Sequence, residues 1–347
     1  MGRIEIALPV TTPPSRDWRR LLPGLLISLA CLIVLALFVD WPQFWQALKL
    51  ANYGLVAAAL VLTLVWLGVR SVYWRTLLQE KASHLQVFFT VNEGYLLNNL
   101  LPFRLGELGR AFLLSRKASQ PFFFVLSTIV LERTLDLILA VSLLMTTLPF
   151  VVGVPWARQA SLTVGAITLT GLGVLYLAAS RQQALQRLFE RAQTRFPPLS
   201  RIGGHSLKAF LNGLNILMDS RRFLSALAWV TLNWLVAVLQ YHLFLRAFYP
   251  QASLLWSAFC LGVIALGVAA PSSPSALGVL ELSAVGALSA FQLDPSTSLA
   301  FAITVHLSQV LVTGLFGAYG LALEGESLFS LYHQLRLYQH QKPGDAS

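Results

Sequence analysis

The sequence predicts an all-α polytopic membrane protein with about six full spans, two re-entrant helical hairpins and an inverted-topology repeat. Three observations carry that expectation. The chain is 56% hydrophobic and only 12% charged, with a mean hydropathy of +0.66, whereas soluble domains carry about 25% charged residues. Apolar runs of about 20 residues, the length a spanning helix needs, recur along it. Two further apolar regions are each interrupted near the middle by proline and small or polar residues.

The expected spans, in order, are Leu21–Val39, Tyr53–Val72, Phe122–Leu148, Ala160–Ala178, Phe223–Leu245 and Ser298–Leu321. The first follows Arg16, Arg19 and Arg20 like the core of a signal peptide, but no small-x-small cleavage site follows it. It is read as an uncleaved helix. Several of the nine tryptophans (Trp18, Trp41, Trp45, Trp74, Trp156) fall near span ends, as an interfacial belt requires. Cys31 and Cys260 lie far apart in apolar stretches and are read as small buried hydrophobes. There is no disulfide framework and no metal-ligand spacing, so no cofactor is expected.

Net charge is +10, and its placement reads as topology rather than as nucleic-acid binding. Arg70, Arg75 and Lys81 close the second span, Arg116 and Lys117 follow the first broken region, and eight Lys or Arg occupy 180–222. The alternate connections Asp40–Ala51, Pro149–Gln159, Pro250–Ala252 and Leu293–Thr297 are poor in both. Both termini are therefore placed in the cytoplasm. Val87–Ser115 begins and ends near cytoplasmic charge, and its halves are too short to span. It reads as a hairpin entering from the cytoplasm. Ser253–Phe291 lies between two outside connections and would enter from the other face, although two short full spans would satisfy the same loop sides.

The halves then resemble each other. Pro102-x-x-Leu105-Gly106 recurs as Pro274-x-x-Leu277-Gly278. The interval from Pro102 to Pro274 also carries Tyr53 to Ser225 and Phe122 to Asp294, near the starts of matching spans. Three spans separate the hairpins, an odd number, so the halves face opposite ways, as in secondary transporters. The expected units are a tail (1–20), a first helix (21–39), a first repeat (52–148) with hairpin 87–115, a linking span and basic linker (160–222), a second repeat (223–323) with hairpin 253–291, and a cytoplasmic tail (324–347). Within the linker, Arg181–Phe196 reads as a basic amphipathic helix. It either lies on the membrane surface or joins the halves as a solvated linker.

Charge inside the apolar regions is the functional signal. The first hairpin carries Glu93, then Arg104, Glu107 and Arg110 at spacing three; the next span carries Glu132, Arg133 and Asp136 near its middle. An unpaired charge at the bilayer centre costs roughly 2.5–3.5 kcal/mol on the insertion scale, so these groups require a shared network or a wet cavity. Asn98 and Asn99 can satisfy backbone groups freed at Pro102. The second hairpin offers Pro271, Ser272, Ser273, Pro274 and Ser275, then Gly278 and Glu281, and the helix N-terminus after Pro274 suits an anionic group. His306 and Gln309 lie in the last span, where a single histidine is as readily a buried hydrogen-bonding residue as a titrating one. Two readings stay open: a salt-bridge network that locks helices, or a substrate path.

The ordered motifs NNLLPFRLGELGRAFLL, LERTLD and PSSPSALGVLE resemble the lysylphosphatidylglycerol synthase transmembrane-region family over about Tyr53–Leu323. The family pattern places a polar residue and Pro-Gly-Arg-x-Gly-Glu-x-x-Arg in the first hairpin. Asn98, Pro102, Arg104, Gly106, Glu107 and Arg110 match it, with Phe103 in place of a glycine. In the second hairpin Pro274, Gly278 and Glu281 match Pro-Gly-Gly-x-Gly-x-x-Glu, with Ser275 and Ala276 in place of glycines. The resemblance implies the lipid-translocating part of such proteins without a soluble synthesising domain, in the bacterial cytoplasmic membrane.

The expected function is a flippase that moves a polar-headgroup lipid (phospholipid, aminoacyl- or glycolipid) through a charged cavity. Asn98, Asn99, Arg104, Glu107, Arg110, Glu132, Arg133, Asp136, Glu281 and His306 would line it, and Pro102, Gly106, Pro271, Pro274 and Gly278 would form the hairpin breaks. Membrane lipids are the expected partners, with a homo-oligomer or a separately encoded lipid-modifying enzyme left open and no nucleic acid. The alternative is a membrane-embedded lipid-modifying transferase or its scaffold subunit, in which paired carboxylates act as acid and base. Neither a phosphate loop nor a nucleophile motif is visible in the sequence to favour it.

Overall fold

The computed structural model describes residues 18–101, 104–151, 155–195, 204–269 and 274–324. The tail bearing Arg3 and Arg16, the prolines Pro102 and Pro271 with their neighbours Phe103, Ser272 and Ser273, the joint at Pro197-Pro198, and the tail from 325 onward lie outside the described residues. The helices are α1 (Trp18–Phe38), α2 (Trp41–Leu50), α3 (Tyr53–Leu77), α4 (His84–Leu100), α5 (Leu105–Lys117), α6 (Phe122–Thr147), α7 (Pro155–Ser180), α8 (Gln182–Arg195), α9 (Gly204–Gly213), α10 (Ser220–Phe248), α11 (Leu254–Ala269), α12 (Val279–Ser289) and α13 (Pro295–Leu323). There are no strands among the described residues.

Short polar side chains set several helix starts by accepting the otherwise unpaired N–H groups of the first turn. Asn52 caps α3 through Leu55 N, Asp219 caps α10 through Arg222 N, and Asp294 caps α13 through Thr297 N, with Pro295 in the first turn. Ser83 and Gln86 form a reciprocal capping box on α4. These caps extend α10 and α13 three residues upstream of their apolar runs. At its far end α3 continues past the expected Val72 to Leu77, because nothing between 72 and 77 interrupts a helix. The expected connection Asp40–Ala51 is instead largely a helix. Asp40 caps α2, which turns 89° from the end of α1 and buries Phe44 against Leu299 and Ala300.

Among the described residues, three helices, α3, α10 and α13, are long and apolar enough to cross a bilayer. α6 and α7 each have 26 residues, about 39 Å at 1.5 Å per residue; α6 carries Glu132, Arg133 and Asp136 at its middle. Outward faces are apolar: on α13 Leu307, Leu311 and Leu315 recur every fourth residue and are exposed, while His306 and Thr313 on the other face are buried. A molecule that turns leucine out and charge in is built for lipid. The chain is an integral, all-α membrane protein.

Both broken regions are helical hairpins. The open ends of α4 and α5 meet where Gln86 Nε2 donates to the Lys117 carbonyl at 2.8 Å. The open ends of α11 and α12 meet where Trp256 and Phe291 lie 5.1 Å apart. The four arms have 17, 13, 16 and 11 residues, each below the ~20 needed to span alone. Helix pairings mirror one another. α4 lies along α13 as α11 lies along α6; α5 rests on α6 as α12 rests on α13; α3 packs on α4 as α10 packs on α11; and α3 and α10 pack together. The linker is less free than its composition implies. After the expected helix α8, residues of α9 and of the turn Leu214–Met218 dock on α6 and α7, burying Leu211, Leu214 and Ile216.

Two large clusters dominate the hydrophobic core of the described residues. One cluster gathers around Phe244, Phe259 and Phe301, the other around Tyr73, Trp74, Leu114 and Phe124. α3, α6 and α10 contribute to both, and polar residues of α3 and α10, including Thr63, Arg70 and Asn233, fall between the two contributions.

Candidate functional site

Gly106 lies inside α5, not at the break as expected, and it sets how closely the first hairpin closes. A Cβ there would meet the Gly94 carbonyl at 2.2 Å, so only glycine lets α5 sit on α4. Asn98 Oδ1 accepts from Gly106 N, in the first turn of α5, at 2.8 Å. Arg104 precedes α5 in a left-handed conformation (φ 55°, ψ 34°), so it does not share the helical face of Glu107 and Arg110.

That displacement splits the expected triplet. Arg104 Nη1 lies 3.7 Å from Glu107, and its Nη2 donates to the Val268 carbonyl of the second hairpin at 2.5 Å. Glu107 pairs across to Arg133 at 3.3 Å rather than to Arg110. Arg110 turns inward to Glu132, making two hydrogen bonds, with its guanidinium 3.7 Å from the Trp74 ring centroid. Trp74 is thus buried in the core and not part of an interfacial belt.

Glu132, fully buried, accepts from Arg110, Arg133 and Arg70. Arg70 also grips Asp136, at 3.1 and 2.7 Å, and Trp234 Nε1 donates to Asp136 at 3.3 Å. Arg70, which charge placement read as closing the second span, lies within α3 and is only 4% exposed. Its signal in the sequence is helical spacing, since Thr63, Trp66 and Arg70 fall on one face of an uninterrupted helix. Glu93 leaves the cluster instead. Lys117 Nζ bridges Glu93 and Glu324, each at 2.5 Å.

Two adjoining cavities open among these groups, of about 190 and 440 Å³. Arg104, Glu107 and Arg133 line both, together with Trp66, Tyr95, Val268, Leu280 and Gln309. The smaller holds Asn98, Asn99, Arg110, Ser275 and His306; the larger holds Arg70, Asp136, Trp234 and the apolar Leu261 and Ile264. Glu132 and Glu281 line neither cavity and act from behind the lining residues.

At the second break, Pro274–Ala276 forms a single turn before α12. Gly278 has φ 81°, and its N–H is taken at 2.7 Å by Glu281 Oε2. The helix N-terminus expected to receive an anion is therefore capped by the chain's own carboxylate. Glu281 Oε1 lies 2.5 Å from His306 Nδ1, and His306 Nε2 lies 2.7 Å from Ser275 Oγ. Asn99 Oδ1 is 3.2 Å from the same Ser275 oxygen, so the two hairpin tips touch. No group of His, Cys, Asp and Glu suited to a metal ion exists among the described residues.

The sequence profile of the lysylphosphatidylglycerol synthase TM region family matches residues 21–317. The chain belongs to that family. This TM-region protein is similar to a UPF0104 membrane protein of Methanocaldococcus jannaschii, 27% identical over 229 residues, covering 64% of this chain and 91% of the relative. No solved structure matches it. Ser275 and Ala276, at φ 57° and 55°, hold a left-handed conformation that glycine adopts without strain.

Proposed function

We propose that the protein moves a polar-headgroup lipid between leaflets, with the headgroup in the two adjoining cavities and the tails in lipid. The observation that carries this reading is the shared lining of Arg104, Glu107 and Arg133. These groups are partly exposed, at 36%, 23% and 28%, whereas Arg70, Arg110 and Glu132 are buried. Partly exposed charge facing a cavity is within reach of a headgroup.

Membership of Arg70 and departure of Glu93 change the charge of the site. Arg70, Arg104, Arg110 and Arg133 face Glu107, Glu132 and Asp136, an excess of one guanidinium. That balance favours a headgroup containing a phosphate, which arginine binds through two parallel donors. In this reading the mirrored helix pairings are an inverted repeat, both termini lie in the cytoplasm, and the hairpins open alternately to the two faces.

Reconstitution in vesicles with a labelled phospholipid tests this. Arg104→Ala and Glu107→Ala are each expected to slow leaflet exchange about tenfold or more, the worth of one hydrogen bond to a charged group. Wild-type exchange in both variants would remove the headgroup site from this lining.

A further inference from the structure

The contact between hairpin tips has a chemistry that headgroup binding does not use. Ser275, His306 and Glu281 stand in a line: Oγ to Nε2 at 2.7 Å, then Nδ1 to Oε1 at 2.5 Å. Glu281 is anchored through its other oxygen by Gly278 N at 2.7 Å, and it is 5% exposed. A fixed carboxylate beside Nδ1 holds the proton there and leaves Nε2 as an acceptor. Nε2 then faces a hydroxyl; Asn99 Oδ1, at 3.2 Å, is the longer competitor for the same hydrogen.

We infer that Ser275 is an activated nucleophile, with His306 as its general base and Glu281 as the group that orients the base, and that it attacks a carboxylic ester of a lipid held in the smaller cavity. Nucleophile, base and orienter at hydrogen-bond spacing are the geometric signature of covalent acyl transfer, whatever the fold. The backbone adds a second, independent observation. Ser275 is held at φ 57° and ψ 9°, a conformation disfavoured for a residue with a Cβ and most often retained at functional sites. Ser275 also lines the cavity shared with Arg104 and Arg110, where positive charge lowers the energy of a developing oxyanion.

The step balances. Ser275 Oγ bonds to the ester carbonyl carbon as its proton passes to His306 Nε2. Collapse breaks the carbonyl carbon–oxygen bond, and the departing alcohol takes the proton from His306. Water, or a second alcohol in a transfer, then attacks the acyl-serine through the same base and restores the hydroxyl. This activity is separate from leaflet exchange and stands or falls on its own test.

The full chain, reconstituted in vesicles, is treated with a short-chain fluorophosphonate, and the modified peptide is mapped by mass. The adduct is expected on Ser275, forming at least ~100-fold more slowly in His306→Gln, since losing the base of such a relay removes most of its rate. Ser275→Gly is expected to take no label and to melt no lower than wild type, because glycine adopts the same backbone without strain. Absence of an adduct on Ser275, or an equal rate in His306→Gln, overturns the inference. So does a lower melting temperature in Ser275→Gly, which marks the hydroxyl as structural.

Discussion

Glu132 shows how a single carboxylate becomes indispensable without touching a ligand. It is fully buried and receives three arginines from α3, α5 and α6. Removing one partner of a buried ion pair strands the others, which typically costs 3–5 kcal/mol. Glu132→Ala is therefore expected to lower unfolding stability by about that amount in detergent titrations. Glu107→Ala, at a partly exposed position, should cost well under half as much while impairing exchange. Equal losses in the two variants would contradict this division between holding and binding. The division was not legible in the sequence, where Arg104, Glu107, Arg110 and Glu132 are alike only as charges near proline or in an apolar run. Which of them face a cavity depends on a left-handed residue at 104 and on packing between hairpin and span.

At the scale of elements, the hairpin arms are held by close approach rather than by apolar bulk. Gly106→Ala places a methyl 2.2 Å from the Gly94 carbonyl and 2.5 Å from Asn98 Oδ1. The helices must separate, with an expected loss of about 1–3 kcal/mol, the usual cost of overpacking, and with the Asn98 hydrogen bond broken. Gly171→Ala in α7 is the control, since nothing lies within 4 Å of that added carbon. Matched melting curves for the two variants would rule out tight α4–α5 packing. The elements themselves were largely readable. α6 runs over 122–147, and α10 and α13 enclose the expected runs. Their true ends came from Asp219 and Asp294, whose capping role apolar runs do not register. α2 was missed because it is short and amphipathic, with its one fully buried residue, Phe44, deciding its place.

For the whole molecule, the proposed inverted repeat rests on the odd number of spans that the sequence predicts between the hairpins. In a background with Cys31→Ala and Cys260→Ala, a membrane-impermeant maleimide is expected to label Gln251→Cys in intact cells. Lys81→Cys should react only after permeabilisation. Reaction of both from the same side would dissolve the inverted repeat. Mirrored pairings such as α4 with α13 and α11 with α6 support that repeat, yet they bring together residues more than about 100 positions apart in the chain, and the contact from Arg104 to Val268 spans 164.

By itself the sequence determined the class of solvent, the helical content, the two interrupted regions and the family, because each rests on local composition, spacing or short motifs. Burying charge in an apolar chain also required, before any coordinates, that the charges meet. Only the tertiary structure decided which charges meet. It brought Arg70 in and turned Glu93 away to Lys117, and it set Ser275 against His306. Those contacts depend on how two hairpins close upon α3, α6 and α13, and a linear pattern carries no record of relative helix position.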